Sequence, residues 1–341
     1  MSATARWAIA LLLLIGPAAA ASGDETKLLF ADVVPPGSVI DAQVVMPWAK
    51  RINEQGKGVL SIDVRQGVLI ADFSNIYDRV LTDVVQIGWE IQAAVGGKFP
   101  LSNVVALPLI GKNGADASEA FWRIYKSGAM DAEYDQIVPL MLVALPGSAL
   151  HFARPLKSLD TLSGAKLIVP GKVQGQAISD LGGVPISLPL TDMYPAIQRG
   201  TVDGTMIAWV AFNPWKLAEV TSYHIDTKLG GAAGMIFMSK AKYNSLSPEA
   251  KKLIDANSGE AQSRAFGAAM ETENDAQRAS VKAGEKQTFI EPTPELLSAW
   301  QKKVEPTIDQ WTKENKGADV VLARFQAELD KLAADHQPLS R

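Results

Sequence analysis

The 341-residue sequence contains no cysteine, so disulfide bonds, thiolate catalysis and cysteine metal sites are excluded. Histidine is also scarce: the chain has three, His151, His224 and His336, which lie far apart in the sequence. We therefore expect no histidine-rich metal site. A chain of this length can bury a core large enough to fold without a covalent cross-link.

Motifs for cofactors and catalysis are missing as well. The sequence has no phosphate-binding loop, no dinucleotide-binding glycine motif, no His-Glu-x-x-His zinc motif and no calcium loop. This absence predicts that the protein uses no cofactor and is not an enzyme. An acid–base pair assembled from distant residues would leave no local motif, so an extracytoplasmic enzyme stays open as an alternative.

The chain also lacks an excess of positive charge and a membrane-length apolar run. It has 33 Lys and Arg against 37 Asp and Glu, a net charge of −4, and no basic stripe. This balance argues against nucleic acid as a partner. After the first residues, the longest apolar run is Val138–Leu145, which is too short to cross a bilayer and is typical of a buried strand.

The first residues have the pattern of an export signal. Arg6 supplies a basic start, Trp7–Ile15 forms a short apolar segment, and a run of alanines follows. We predict a signal peptide over residues 1–21, cleaved near Ala20 or Ala21, and a mature protein in the periplasm. An uncleaved membrane anchor is the alternative, which the early Pro17 disfavours.

The stretch from Ser163 to Trp215 alternates strand and helix patterns. Apolar runs at Leu167–Val169 and Ile186–Leu188 indicate buried strands, and a third strand is predicted from Val202 to Trp209. Strands and helices in this order are typical of a parallel α/β sheet. Ligands of such sheets bind beyond the carboxyl ends of the strands. The segments expected near a pocket are Pro170, Gly171, Leu190 and Met206–Trp209.

Capping residues predict where several helices begin. Ser247, with a proline and a glutamate directly after it, is predicted to start one long helix that continues to about residue 283. The other predicted starts are the caps Thr293, Ser74 and Thr191, and a capping box formed by Asp116 with Glu119.

Motifs in and near the central stretch resemble those of the substrate-binding proteins of tripartite ATP-independent periplasmic (TRAP) transporters. The matching segments are Gly164–Gly171, Leu181–Ile186, Tyr194 and Gln198–Gly204, together with Gly97–Leu101 in the first part of the chain. One position departs from the family. The arginine that usually grips a substrate carboxylate is replaced by Ile168.

The resemblance implies an α/β fold of the two-lobe periplasmic binding protein class (type II-like), with a hinge, crossing strands and a long helix spanning both lobes. We assign residues 22–149 with about 231–285 to lobe I. Residues 150–230 with about 286–341 are assigned to lobe II.

The resemblance also implies a function. Such a receptor captures a small organic solute by hinge closure and delivers it to a small and a large integral membrane subunit of the transporter. We expect a monomer that binds no nucleic acid and no metal. A solute-binding protein that serves a sensor kinase or an ABC transporter is the alternative.

The candidate ligand contacts each have a structural alternative. Trp89 and Glu90 follow a short strand. Either both lie at a domain edge and face the ligand, or Trp89 packs in the core beside a solvated Glu90. Trp209 falls where the family places ligand contacts; its alternative is a core or hinge aromatic. His151 is either a hydrogen-bond donor to the ligand or structural. The predicted ligand-binding residues are Pro36, Trp89, Glu90, His151, Ile168, Pro170, Met206, Trp209 and Phe212.

Ile168 determines the expected chemistry of the ligand. Burying a carboxylate without a charged hydrogen-bonding partner is costly, and isoleucine offers no such partner. If Ile168 faces the pocket it forms an apolar wall; otherwise it belongs to the core. Either the ligand is not an ordinary carboxylate or another cation replaces the arginine, with Lys98, Arg154 and Lys172 as the candidates. The candidate tryptophans and Glu90 would together suit an apolar, aromatic or cationic small molecule.

Overall fold

The computed structural model describes residues 25–110, 113–159, 161–162 and 164–335. The predicted signal peptide with its cleavage site, Ser163 and His336 lie outside these residues. Within the described ranges, no helix is both long enough and apolar enough to pass through a bilayer.

The described residues form eleven strands arranged in two mixed sheets. The first sheet has the order β2-β1-β3-β10-β4, and the second has the order β11-β9-β5-β8-β6-β7. In chain order the strands are β1 Thr26–Asp32, β2 Leu60–Gln66, β3 Ile87–Ile91, β4 Ile137–Ala144, β5 Ala149–Phe152, β6 Lys166–Ile168, β7 Val184–Ile186, β8 Gly204–Ile207, β9 Tyr223–Ile225, β10 Ala233–Ser239 and β11 Thr288–Ile290.

Helices cover these sheets, and the same described ranges contain eleven α-helices. In chain order they are α1 Met46–Gln55, α2 Ile76–Leu81, α3 Gly114–Lys126, α4 Lys172–Asp180, α5 Leu190–Gln198, α6 Phe212–Trp215, α7 Lys240–Ser245, α8 Pro248–Ala256, α9 Glu260–Lys282, α10 Pro294–Glu314 and α11 Ala318–Asp335. A π-helical segment, Ile40–Val45, leads into α1, and a 3₁₀ turn, Trp209–Ala211, leads into α6.

The strands of the first sheet are apolar because of where they lie in the sheet. β1 pairs in parallel with β2 and β3, whereas β10 pairs antiparallel with β3 and β4. Every residue of β10 is buried, because helices and neighbouring strands enclose it. A strand covered on both faces has a continuous apolar sequence rather than an alternating one.

The three strands predicted in the central stretch are present, but their predicted bounds are wrong. The first two strands end at Ile168 and Ile186, earlier than predicted. The predicted third strand was to carry Trp209, but β8 ends at Ile207 and Trp209 begins the 3₁₀ turn. The chain therefore bends at Ala208, and this bend redirects the indole ring.

The helix-cap predictions are partly wrong. Ser247 and Thr293 are N-caps, and each hydroxyl oxygen accepts a hydrogen bond from the backbone N–H three residues later, that of Ala250 and of Leu296. Ser74 and Thr191 do not cap: α2 follows Asn75, α5 follows Pro189, and neither helix has a side-chain cap. The predicted capping box is replaced by Asn113, which accepts a hydrogen bond from the Asp116 backbone.

The prediction of a single helix from Ser247 to about residue 283 is also wrong. The segment forms two helices, α8 and α9, because the chain breaks at Asn257 to Gly259. Gly259 has a φ of +98°, which an L side chain rarely adopts.

Two crossing segments, residues 145–148 and 229–232, join the lobes. Leu145 N donates to Ala232 O at 2.8 Å, and Ser148 N donates to Gly230 O at 2.8 Å. Gly230 has a φ of +95°, and a Cβ there would lie 2.1 Å from Ala106 O. Only glycine fits this close approach between the crossing segment and the first lobe.

The helix α9 spans both lobes, as predicted. Its Phe266 and Met270 belong to the core of the first lobe, whereas Val281 belongs to a core of the second. The helix α10 also reaches both cores, through Trp300 in the second lobe and Trp311 in the first. The helix α11 packs against α3 in the first lobe. The residue-level lobe boundaries stay a prediction.

Candidate functional site

A cavity of about 110 Å³ lies between the two sheets, and we call it the interlobe cavity. Residues from both lobes and both crossing segments line it, and none of them is charged. From the first lobe these are Val34, Pro35, Ser38, Val39, Ile40, Phe73, Trp89, Ile91 and Met270; from the crossing segments Leu145, Pro146, Ser148 and Ala232; from the second lobe Pro170, Leu190, Ile207, Ala208, Val210, Ala211, Pro214 and Trp215.

Strand ends deliver most of this lining. Pro35 lies three residues after β1, Trp89 lies near the end of β3, Pro170 follows β6, and Ile207 is the last residue of β8. The carboxyl ends of parallel strands gather at one edge of a sheet, which is where α/β proteins place their ligands. The two sheets thus turn these edges toward a shared space.

Of the nine predicted ligand-binding residues, Trp89 and Pro170 line the interlobe cavity. Pro36 is exposed in the loop beside Pro35 and lies outside the lining. Glu90 stands between two lining residues of β3 without lining the cavity itself. The other five are buried outside the lining: His151, Ile168, Met206, Trp209 and Phe212.

Trp89 is fully buried, and its position depends on a glycine across the sheet. A Cβ at Gly234 of the neighbouring strand β10 would lie 2.3 Å from the indole Cη2. The ring packs against Phe266 of α9, with ring centroids 5.2 Å apart. The indole Nε1 has no hydrogen-bond partner among the described residues. A buried donor without a partner lowers the stability of the folded protein, and the Nε1 of Trp89 is such a donor.

Two buried carboxyl groups, Asp32 at the end of β1 and Glu90 on β3, lie on first-lobe strands that lead to the cavity. Burial raises the pKa of Glu90 to about 9, with the charge of Asp72 adding to the shift. Burial also raises the pKa of Asp32 to about 7, and the nearby Asp41 contributes. Both oxygens of Asp32 and one of Glu90 have no hydrogen-bond partner within the described part of the chain. The raised pKa values keep these groups largely protonated, and the described wall of the cavity offers an anion no cationic side chain.

His151 supports the cavity wall from behind. Its Nε2 donates to the carbonyl oxygen of Ile207, a lining residue, at 3.0 Å. Its Nδ1 lies 3.0 Å from Nδ1 of His224, whose Nε2 lies 2.8 Å from Oε1 of Gln287. Burial lowers the pKa of both imidazoles, so the pair resists protonation.

Trp209 belongs to an aromatic cluster of the second lobe. Its ring stacks on Phe289 with centroids 4.8 Å apart and an interplanar angle of 9°. Its Nε1 donates to Asp226 Oδ1 at 3.0 Å, so its polar atom already has a partner. The rings of Phe212, His151 and His224 also lie against this indole.

Ile168 lies in the core of the second lobe. Its side chain is 3% exposed and belongs to the same apolar cluster as Met193 and Phe212. Its backbone oxygen accepts a hydrogen bond from Thr205. Met206, on the adjacent strand β8, belongs to another apolar cluster of this lobe.

The three cations considered as replacements for the missing arginine also lie outside the lining. Lys98 Nζ sits over the ring of Tyr77, 5.5 Å from its centroid. Lys172 Nζ pairs with Glu314 at 2.6 Å. Arg154 lines a separate groove of about 860 Å³ on the second lobe. The described residues therefore place no lysine, arginine or histidine on the wall of the interlobe cavity.

Two serines that are not among the predicted ligand-binding residues also line the cavity. Ser38 follows the Pro-Pro-Gly loop after β1, and Ser148 lies in a crossing segment. Each comes shortly after a proline and a glycine at the end of a strand, a pattern that could have singled them out. Within the described ranges, no group of three or more histidine and acidic side chains is placed to hold a metal ion.

The protein has two α/β lobes, which the crossing segments join and which enclose an apolar cavity. This arrangement is that of a two-lobed solute-binding protein. The profile of the bacterial extracellular solute-binding proteins of family 7 (DctP) matches residues 30–315. The chain therefore belongs to this family. The predicted similarity to TRAP substrate-binding proteins is confirmed, and so is the predicted two-lobe α/β fold.

Known relatives agree with this assignment. The chain is 26% identical over 252 residues to the outer membrane transporter protein TsaT of Comamonas testosteroni, covering 71% of this chain and 73% of that one. A TRAP solute-binding protein of Rhodoferax ferrireducens in complex with copurified benzoate has a TM-score of 0.85 at 23% identity, over 92% of this chain and 100% of that chain. A Bordetella bronchiseptica TRAP periplasmic protein with bound (R)- and (S)-mandelate has a TM-score of 0.82 at 21% identity, over 90% and 99%.

Proposed function

We propose that this protein is a periplasmic receptor that captures a small organic solute between its lobes. It then delivers the solute to the small and large membrane subunits of a TRAP transporter. The single observation that carries this proposal is the uncharged interlobe cavity, which both lobes and both crossing segments line. In this proposal the protein acts as a monomer. It performs no chemistry on the solute, since the described lining residues include no acid–base pair.

The solute is apolar and about the size of one ring. The interlobe cavity has about 110 Å³, less than the about 150 Å³ of a cavity that holds benzene in another protein, which makes one ring the upper limit on the size of the solute. An ordinary carboxylate does not suit this wall, because Ile168 lies in the core and the three alternative cations lie elsewhere. The Rhodoferax and Bordetella proteins hold aromatic acids. We propose that this chain shares their preference for a ring but not for the acid group.

Closure of the lobes follows from where the lining residues lie. A solute that touches Trp89 in the first lobe and Trp215 in the second binds the closed arrangement better than the open one. The crossing segments at Leu145 and Gly230 are the places where the backbone would bend. The exported receptor then presents the closed form to its membrane partner.

A thermal-shift screen of the purified protein tests the ligand class. We expect single-ring apolar compounds to raise the melting temperature and dicarboxylates or sialic-acid-like acids to leave it unchanged. Native mass spectrometry of the freshly purified protein would identify any copurified solute. Stabilisation by the acids alone would contradict the ligand class. Intact release of the bound compound, with no product formed, would support a receptor over an enzyme.

A further inference from the structure

Two buried carboxyl groups, Asp32 and Asp41, stand at the two ends of a loop that lines the interlobe cavity, and we call them the acid pair. Asp32 is the last residue of β1, and Asp41 is the second residue of the π-helical segment that leads into α1. The two residues are 0% and 3% exposed. The acid pair brackets a large part of the first-lobe wall, namely Val34, Pro35, Ser38, Val39 and Ile40.

Asp41 holds this loop in place. Its Oδ2 accepts a hydrogen bond from the backbone N–H of Gly37 at 2.7 Å, and its backbone N–H donates to Ser38 Oγ at 3.4 Å. Its Oδ1 accepts from Gln66 Nε2 of β2 at 2.7 Å. The carboxylate thus joins the loop to the edge strand of the first sheet.

Asp32 approaches the same carboxylate from the sheet. The register between β1 and β2 pairs Asp32 with Gln66, the residue that donates to Asp41. The two carboxyl groups are close enough for a hydrogen bond between them. Both are acceptors when ionised, so such a bond needs a proton on one of them. Asp41 already accepts from two N–H groups, whereas neither oxygen of Asp32 has a partner within the described ranges, so the proton belongs on Asp32.

Among the described residues around the acid pair, no positive charge acts on Asp32. The strands β2 and β3 place the uncharged Gln66 and Trp89 beside it, and α9 covers Trp89 with Phe266. Glu90, the next residue of β3, belongs to the opposite face of the sheet. The two cations of α1 are bonded elsewhere, Lys50 to Glu54 and Arg51 to Gln262.

A proton therefore decides whether the acid pair can stay together. Two ionised carboxylates at hydrogen-bonding distance repel each other. The described ranges provide no group of three or more histidine and acidic side chains that could hold a metal ion between them. Burial raises the pKa of Asp32 to about 7, the charge of Asp41 adds to the shift, and the nearby N–H of Val34 opposes it. Asp32 thus changes its charge near neutral pH, where an aspartate of ordinary pKa stays ionised.

We propose, on the basis of the function proposed above, that the acid pair is a proton-dependent anchor for the loop of residues 33–40. With Asp32 protonated, its O–H donates to Asp41 and the loop completes the cavity wall. With Asp32 ionised, Asp41 moves away, because Asp32 is fixed in a strand of the sheet. Gly37 and Gln66 then lose their acceptor, and the solute binds more weakly. Asp32 is a positioning residue, which acts on the solute through the loop.

The pH dependence of solute affinity tests this anchor. Isothermal titration calorimetry with toluene, a single-ring apolar probe, should give a dissociation constant about tenfold higher at pH 8 than at pH 6, because only the protonated form binds well. Burial lowers the pKa of His151 and His224, and the pKa of Glu90 is about 9, so these groups change charge mainly outside this interval. Equal affinity at both pH values would overturn the proton link and leave a solute receptor in place. Failure of toluene to bind at either pH would contradict the proposed function.

A matched pair of substitutions identifies the titrating group. In Asp32→Asn the side chain cannot ionise and its amide still donates to Asp41, so toluene should bind with the same affinity at pH 6 and pH 8. Asp63→Asn makes the same change on β2, where the exposed carboxylate pairs with Arg65, and should keep the tenfold difference. A tenfold difference that persists in Asp32→Asn would assign the effect to another group and overturn the proposal.

A measurement without ligand covers the cases in which Asp32→Asn does not fold or toluene does not bind. In the unchanged protein labelled with nitrogen-15, the backbone amide resonance of Gly37 reports on its hydrogen bond to Asp41. This resonance should move upfield with a midpoint at about pH 7, because the amide loses its acceptor as Asp32 ionises. The amide of Gly58, which donates to Glu25 at 3.3 Å near the surface, is the control and should show no transition there. A Gly37 resonance that stays unchanged from pH 6 to pH 8 would overturn the anchor, whatever the solute.

Discussion

Glu90 shows how a buried carboxyl group can stay in a protein without a cation. Its Oε1 accepts from the backbone N–H of Ile91 at 2.8 Å, whereas Oε2 has no partner among the described residues. Removal from water raises its pKa to about 9, so the group is protonated at neutral pH. Protonation removes the charge that would otherwise be stranded beside the apolar cavity.

The raised pKa of Glu90 has a defined effect on stability. Between pH 4.5, its ordinary value, and about 9, the folded protein keeps a proton that the unfolded chain releases. Stability therefore falls as the pH rises through this interval. In Glu90→Gln the side chain is permanently neutral, so we expect a gain on the order of 1–3 kcal/mol at pH 9 and little change near pH 4.5. Urea unfolding at several pH values measures it.

The exposed Glu285 provides the control for this experiment. Glu285→Gln makes the same chemical change on the surface and should leave the pH dependence of unfolding as it is. A Glu90→Gln protein whose free energy of unfolding falls with pH as steeply as that of the unchanged protein would refute the argument.

At the residue scale, the sequence predicts a ligand-binding residue correctly when its position along a strand determines whether it reaches the cavity. Trp89 and Pro170 could be predicted because residues near strand ends meet at the edge of a sheet. Trp209 misled the prediction, because the turn that begins there sends its ring onto Phe289. The depth of Ile168 depends on which residues pack over β6, which the local sequence does not reveal.

At the scale of the elements, glycines mark the breaks that periodicity missed. The alanine-rich run after Ser247 favours one helix by propensity alone. Gly259 nevertheless ends that run, and its N–H donates to Leu140 O of β4 at 2.8 Å. This tertiary hydrogen bond fixes the break, and a single sequence contains no sign of it.

The break can be tested by substitution. Gly259 has a φ of +98°, while a Cβ there would meet only Trp122 at an ordinary 3.5 Å, so strain and not crowding opposes a side chain. With a ψ of −154°, this backbone lies in a region that essentially only glycine adopts, so we expect Gly259→Ala to lower the free energy of unfolding by about 1–3 kcal/mol. Chemical denaturation monitored by tryptophan fluorescence gives this value.

Gly175, in the middle of α4, is the matched comparison. A Cβ there would lie 3.5 Å from the nearest atom, in Pro185, and the backbone is helical. Gly175→Ala should stabilise the protein by about 0.5–1 kcal/mol, because alanine restricts the unfolded chain and favours the helix. The argument would fail if the two alanine variants changed stability in the same direction.

At the scale of the whole molecule, apolar contacts and hydrogen bonds join the second lobe to the first. Val173 of α4 and Val210 belong to the apolar cluster of the first lobe although their elements belong to the second. The buried Gln174 Nε2 donates to the carbonyl oxygen of Gly231 in a crossing segment. These contacts join the second lobe to the first beside the interlobe cavity, so under the proposed hinge closure we expect their strength to set the balance between open and closed forms.

Removing the hydrogen bond of Gln174 should shift this balance. In Gln174→Met the side chain keeps its length, but the carbonyl of Gly231 loses its donor, at a cost of about 1–2 kcal/mol. The apparent dissociation constant should then rise by at most about five- to thirtyfold, because only the closed form binds well and the rise is smaller the more closed the free protein is. Small-angle X-ray scattering should show a larger radius of gyration without ligand and near-normal compaction with saturating ligand.

Gln176 lies on the same helix and provides the control, because its Nε2 donates to Asp180 within α4 and not across the lobes. Gln176→Met should therefore leave both the affinity and the radius of gyration unchanged. If Gln174→Met lowered stability without weakening ligand binding, the hydrogen bond would serve only folding of the second lobe. If both variants weakened binding alike, the effect would belong to α4 as a helix, and the interlobe contact would not control closure.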